Sequence, residues 1–183
     1  SFTDQDITRL CWRIEQVLHP IVLGGFTLRV TAIAHLQTNQ TARRAIMHTH
    51  QHYESLIIVG GCARYNQGGV VRPGSLLLFP PRNYHGPIAL ETPYKRLMWT
   101  LEISPRLDFA PPIIWPNMPE VLGEDAALLH EARQATPGWE ERANGYVRLL
   151  LSRLLAITRL DDTTAHPSDD TLVARVDEYL RAH

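Results

Sequence analysis

Residues 47–61 read MHTHQHYESLIIVGG. Three histidines and a glutamate (His48, His50, His52 and Glu54) crowd into seven positions, and an apolar, β-branched run closed by Gly60-Gly61 follows at once. The run predicts a short buried strand. Side chains two apart on a strand share a face, so His48, His50, His52 and Glu54 are expected to point one way and Tyr53 the other. So dense a set of imidazoles suits a metal ion, an organic-ligand pocket, or a hydrogen-bonded polar patch at a sheet edge.

The flanking segments keep the strand period. GFTLRVTAIAHL (25–36) alternates, as does YKRLMWTLEIS (94–104), with Leu97, Trp99, Leu101 and Ile103 set against Arg96, Met98, Thr100 and Glu102. CARYNQGG, VVRPG, SLLLFPP and HGPIALE read as further short strands punctuated by turn residues. Seven or eight strands without helices between them exclude a parallel α/β sheet, whose crossovers need room, and predict a β-sandwich or barrel. Before the strands, TDQDITRLCWRIEQVL (3–18) has helical spacing and stops ahead of His19-Pro20. After Pro105 a proline-rich connector leads to two helical patterns, EVLGEDAALLHEARQA and GWEERANGYVRLLLSRLLAITRL. The second is apolar nearly all round and must be buried on more than one side, either inside its own subunit or, as the favoured expectation, in a homodimer through residues 139–160. The polar stretch DDTTAHPSDD precedes TLVARVDEYLRAH, a fresh amphipathic helix at the chain's end.

Composition narrows the function. The 183 residues carry a net charge of -1 and are 44% hydrophobic, enough for one core and a helical annex but without the basic field a stand-alone nucleic-acid binder needs. Two cysteines, Cys11 and Cys62, without a C-x-x-C pair fit a reducing compartment. No apolar run is long enough to span a bilayer as a helix, and Asn39-Gln40-Thr41 is taken as a chance sequon. A soluble, cytoplasmic protein is expected, with Ser1 a trimmed start. No serine elbow or P-loop is present, and neither cysteine has a base nearby in sequence.

Two blocks resemble the motifs of the cupin superfamily: H-x-H with a glutamate shortly after, matched by His48, His50 and Glu54, and G-x5-P-x-G-x-x-H, matched by Gly74, Pro80 and His85. Arg82 stands where the second motif usually has glycine. The resemblance implies a mainly β fold with α, a cupin-like double-stranded β-helix (jelly-roll) barrel followed by a C-terminal helical dimerisation region. It also implies one divalent ion (zinc, nickel, iron or manganese) on His48, His50, Glu54 and His85, a hydrogen-bonded patch being the other reading. Across almost the whole chain the order of blocks is similar to the sensor half of arabinose-regulator-type (AraC family) transcription factors. That implies an N-terminal helix (1–20), an effector-binding barrel (21–110), connector and dimerisation helices (111–160), and a linker with the first helix of a truncated helix-turn-helix domain (161–183). The expected function is small-molecule sensing that controls DNA binding by an absent C-terminal half, with no catalysis. A metal-dependent cupin dioxygenase or isomerase is the alternative.

Around the barrel mouth, His35, His52, Arg64, Arg82 and Trp99 are the candidate ligand-binding residues, with Tyr65, Arg72, Tyr84 and Met98 as further wall candidates. Arg82 can meet an anionic group bidentately or stand in solvent as a loop arginine. Trp99, on an alternating strand, can equally be core.

Overall fold

The computed structural model describes residues 4–41, 44–66, 69–107, 109 and 112–161. The linker and terminal helix expected over 161–183 lie outside them beyond Asp161. Helix α1 (Asp4–Glu15) buries Leu10, Cys11 and Ile14 along one stripe. Seven strands follow: β1 (Ile21–Leu23), β2 (Phe26–Thr38), β3 (Tyr53–Tyr65), β4 (Val70–Val71), β5 (Leu76–Phe79), β6 (Pro87–Ser104) and β7 (Ile113–Trp115). They form one curled, wholly antiparallel sheet in the order β1-β2-β6-β3-β5-β7, with β4 beside β3. Helices α2 (Glu120–Gln134) and α3 (Trp139–Asp161) complete the chain. This is the cupin-like arrangement expected, a half-barrel sheet followed by two helices.

Three local expectations are corrected. The pairs ESLIIVGG/CARY and HGPIALE/YKRLMWTLEIS are not four strands but two long ones, β3 and β6, paired along most of their length. Gly60-Gly61 does not end β3; it bulges it, with register shifts between Ile58 and Ala63. Gly61 has φ 65°, and a Cβ there would sit 2.5 Å from Glu91 O, so only glycine fits. In the connector after Pro105, Ile113–Trp115 adds a strand by pairing with Leu76–Leu78.

The sheet has two buried faces. One carries Leu56, Ile58, Leu77, Phe79, Ala89 and Tyr94, and is called the inner face here. The other carries Leu28, Ile33, Tyr53, Ile57, Leu76, Leu78, Leu97, Trp99, Leu101 and Ile103, and packs on the helices. Burial on both sides is why SLLLF reads as a continuous apolar run rather than an alternation. The bulge reverses the phase of β3, so even positions face inward before it (Leu56, Ile58) and odd ones after it (Ala63, Tyr65).

On α3, Trp139, Ala143, Val147, Leu150, Leu151, Leu154, Leu155 and Ile157 are all buried within the single chain. The second burying partner is therefore met inside the subunit. Arg153 grips Glu124 of α2 with Nε to Oε1 at 2.7 Å and Nη2 to Oε1 at 2.6 Å. Asn144 Nδ2 donates to Val17 O, just beyond α1. Leu149 is the large apolar side chain of α3 left exposed among the described residues.

Candidate metal centre

His48, His50, Glu54 and His85 converge, each offering a ligand atom within 4.8 Å of all the others. Strand alternation is only part of the cause. Glu54 lies on β3 on the inner face, in register with Phe79 and Thr100. The two histidines of the first motif precede the strand, whose first residue is Tyr53. They are placed by backbone pairing with the second motif. His48 N donates to His85 O at 2.9 Å and His85 N returns to His48 O at 3.0 Å, an isolated antiparallel bridge. Arg82 N donates to His50 O at 2.7 Å. Gly86 allows this approach, since a Cβ on it would lie 2.5 Å from Ile46 O.

The protons can be assigned from the partners. A carbonyl oxygen only accepts, so His48 Nδ1, 3.3 Å from Ile46 O, and His85 Nδ1, 3.2 Å from Asn83 O, carry a hydrogen and donate it. Each ring then has its Nε2 left for the cluster. His85 Nε2 is 3.3 Å from Glu54 Oε1, and His50 Nε2 is 2.6 Å from Glu54 Oε2. Yet His50 Nε2 is buried and makes no hydrogen bond of acceptable geometry. Lone pairs facing a carboxylate repel unless a positive charge stands among them, either extra protons on the imidazoles or a metal cation.

The electrostatics of His50 and Glu54 favour the forms that could ligate an ion. Burial lowers the His50 pKa below 6.5, outweighing the pull of Glu54, and the neighbouring histidines push the same way. Burial works to raise Glu54, but the His85 hydrogen bond and the charges of His85, His50 and His48 prevail and hold it below 4.5. A neutral imidazole and an ionised carboxylate are the forms that ligate metals. Glu54 and His85 are buried while His48 and His50 are half-exposed, so the cluster has a closed side and an open one. The closed side rests on Phe79, whose ring stacks on His85 at 3.9 Å between centroids.

The other sequence candidates scatter. Trp99 is buried on the helix face, opposite Glu54, with Nε1 unpartnered among the described residues. His35 is in register with Leu97, which puts it on that same face, toward α1. Arg64 is exposed near the far end of β3, turned out by the bulge that brings Ala63 and Tyr65 in. Arg72 is exposed beside Glu91, and Tyr84 is exposed. His52 and Arg82 lie next to the cluster but line a separate cavity with Arg106. Met98 and Tyr65 do reach the inner face. Tyr65 sits there hydroxyl to hydroxyl with Tyr94 at 3.1 Å, a buried pair that sequence reading missed because Tyr94 opens a strand whose facing it could not assign.

No protein-family model and no curated relative matches the chain. Solved structures similar to it include oxalate decarboxylase from Bacillus subtilis (22% identity, TM-score 0.34, covering 45% of this chain and 27% of that one). Another is KdgF from Halomonas sp. (22% identity, TM-score 0.32, covering 48% of this chain and 87% of that one). One study of the former concerns its Mn(II) centres. The match spans 27% of the length of the oxalate decarboxylase chain.

Proposed function

We propose that this domain is a divalent-metal cupin whose three imidazoles and one carboxylate, His48, His50, His85 and Glu54, hold a transition-metal ion. The carrying observation is the convergence of four ligand atoms within 4.8 Å of one another, with His50 Nε2 buried 2.6 Å from Glu54 Oε2 and making no hydrogen bond there. Nitrogen and carboxylate donors in this ratio suit zinc, nickel, iron or manganese. The chain's own residues would supply the rest: backbone carbonyls of Ile46 and Asn83 fix the ring tautomers, Phe79 closes the buried side, and the half-exposed histidines leave an open approach. A metal there supplies Lewis acidity, or redox chemistry if it is iron or manganese. This favours a metal-dependent cupin enzyme, such as a dioxygenase or isomerase, acting on a small molecule at the open side.

A second reading is the effector-sensing half of a regulator, in which the same centre orients an effector, residues 139–160 make a homodimer, and a following domain binds DNA. Its support is the pair of helices docked behind the sheet and tied to it through α1 and β7. The burial of α3 within one chain weakens the helix dimer that this reading uses.

Elemental mass spectrometry on tag-free protein, wild type and His48→Ala/His50→Ala, tests the centre. Near-stoichiometric metal in the first and none in the second is expected. Metal-free wild type purified from metal-replete medium would overturn it. Turnover by the loaded protein over a substrate panel then separates enzyme from sensor.

A further inference from the structure

A cavity of about 270 Å³ lies beside the proposed metal centre, not within it. Its apolar floor is Tyr53, Leu101 and Ile103, from the edge of the helix-face core. Arg82 and Arg106 line it with cationic groups. Glu102 also borders it, but Arg29 bonds that carboxylate through both Nε and Nη2, so its charge is matched from outside the cavity. A cavity of this size is just under the roughly 300–1,000 Å³ of drug-sized sites, which limits an occupant to about one ring.

Arg82 is held in an unusual way. Its φ is 64°, the left-handed region that favours glycine, and it occupies the position where the resembled motif has glycine. Its guanidinium has no bonded partner among the described residues. A strained backbone position carrying a large unpaired cation over an apolar floor is a site arrangement rather than a packing one. The geometry points to a second binding site, for a carboxylate carried on a small apolar body. Arg82 would take the carboxylate, and Tyr53, Leu101 and Ile103 the apolar part. This inference does not depend on the metal. The two sites are mechanically linked all the same, because Arg82 N is the donor that holds His50 O.

Calorimetry on the full chain, stripped of metal by a chelator, tests the site with benzoate as probe and benzamide and acetate as controls. Saturable one-to-one benzoate binding is expected, with benzamide and acetate at least about tenfold weaker. Arg82→Gly relieves the backbone strain while removing the guanidinium, so it should fold and bind benzoate at least about tenfold more weakly. Arg106→Gln is the second variant, expected to weaken it in the same direction. Benzoate binding unchanged in Arg82→Gly, benzamide binding as well as benzoate, or no saturation with wild type would each overturn the proposal.

Discussion

Glu54 on the sheet's inner face and Asp125 on α2 are both buried carboxylates, 5% and 7% exposed, and their acidities are driven in opposite directions. Three imidazoles surround Glu54, and its pKa falls despite burial. Asp125 has burial alone acting on it; its pKa rises to about 7 and its Oδ1 is unpartnered among the described residues. Its neighbours do not help, for Cys11 is held up to about 12 by burial and by the charges of Asp125 and Glu15. Next to it in sequence, Glu124 has Arg153. Burial by itself therefore does not mark a functional acid. The inner face keeps its carboxylate charged and surrounded by donors, as a metal site requires, while the helix layer tolerates a carboxyl that is comfortable only when protonated.

Four experiments sharpen or break this contrast. The largest effect belongs to the donors: His48→Ala/His50→Ala should lower metal affinity by more than about a hundredfold, beyond what loss of an outer partner costs, read by competition with a chelating dye. Gly86→Ala should follow, at about 2–3 kcal/mol of stability, because its Cβ must push Ile46 away and open the His48–His85 bridge. Metal affinity should fall with it; full affinity in that variant would mean the bridge does not place the ligands.

The pH dependence comes next and has two signs. Asp125 is raised in the folded state, so its contribution is fully present below about pH 4 and is lost as pH rises toward 7. Asp125→Asn should therefore add about 1–2 kcal/mol at pH 8 and almost nothing at pH 4, measured by urea unfolding of chelator-treated protein. Glu54 and His50 are lowered, so their contributions belong to higher pH and are lost as it falls, from 6.5 downward for His50 and below 4.5 for Glu54. Metal should be released over the same descent. Equal stabilisation by Asp125→Asn at both pH values would remove the contrast. The smallest effect is Arg82→Gly, a gain of up to about 1 kcal/mol from relief of the left-handed backbone, seen as a slightly higher thermal midpoint.

Periodicity made the helices and β2 legible, because each buries one stripe or alternate residues. Motif spacing made the four donors legible, although the reason assumed for His48 and His50, a shared strand face, is replaced by a bridge to a segment 37 residues later that no local pattern announces. Alternation separates Trp99 and His35 from Met98 and Thr100 but does not tell which set meets the helices. Gly60-Gly61 looks like a strand end because a bulge and a turn use the same residue, and that bulge sets which way Arg64 faces. Asp125 had no signal at all in an amphipathic stretch.

The His48–His85 bridge separates scaffold from chemistry. Both histidines are positioned through their peptide groups, as is His50 through its carbonyl, and any side chain can hang from a peptide. Replacing the imidazoles would leave the cradle standing, so descendants of this chain could trade an ion for an organic guest by point substitution, without refolding. The same property makes the loop pair a ready socket for grafting new donor sets by design.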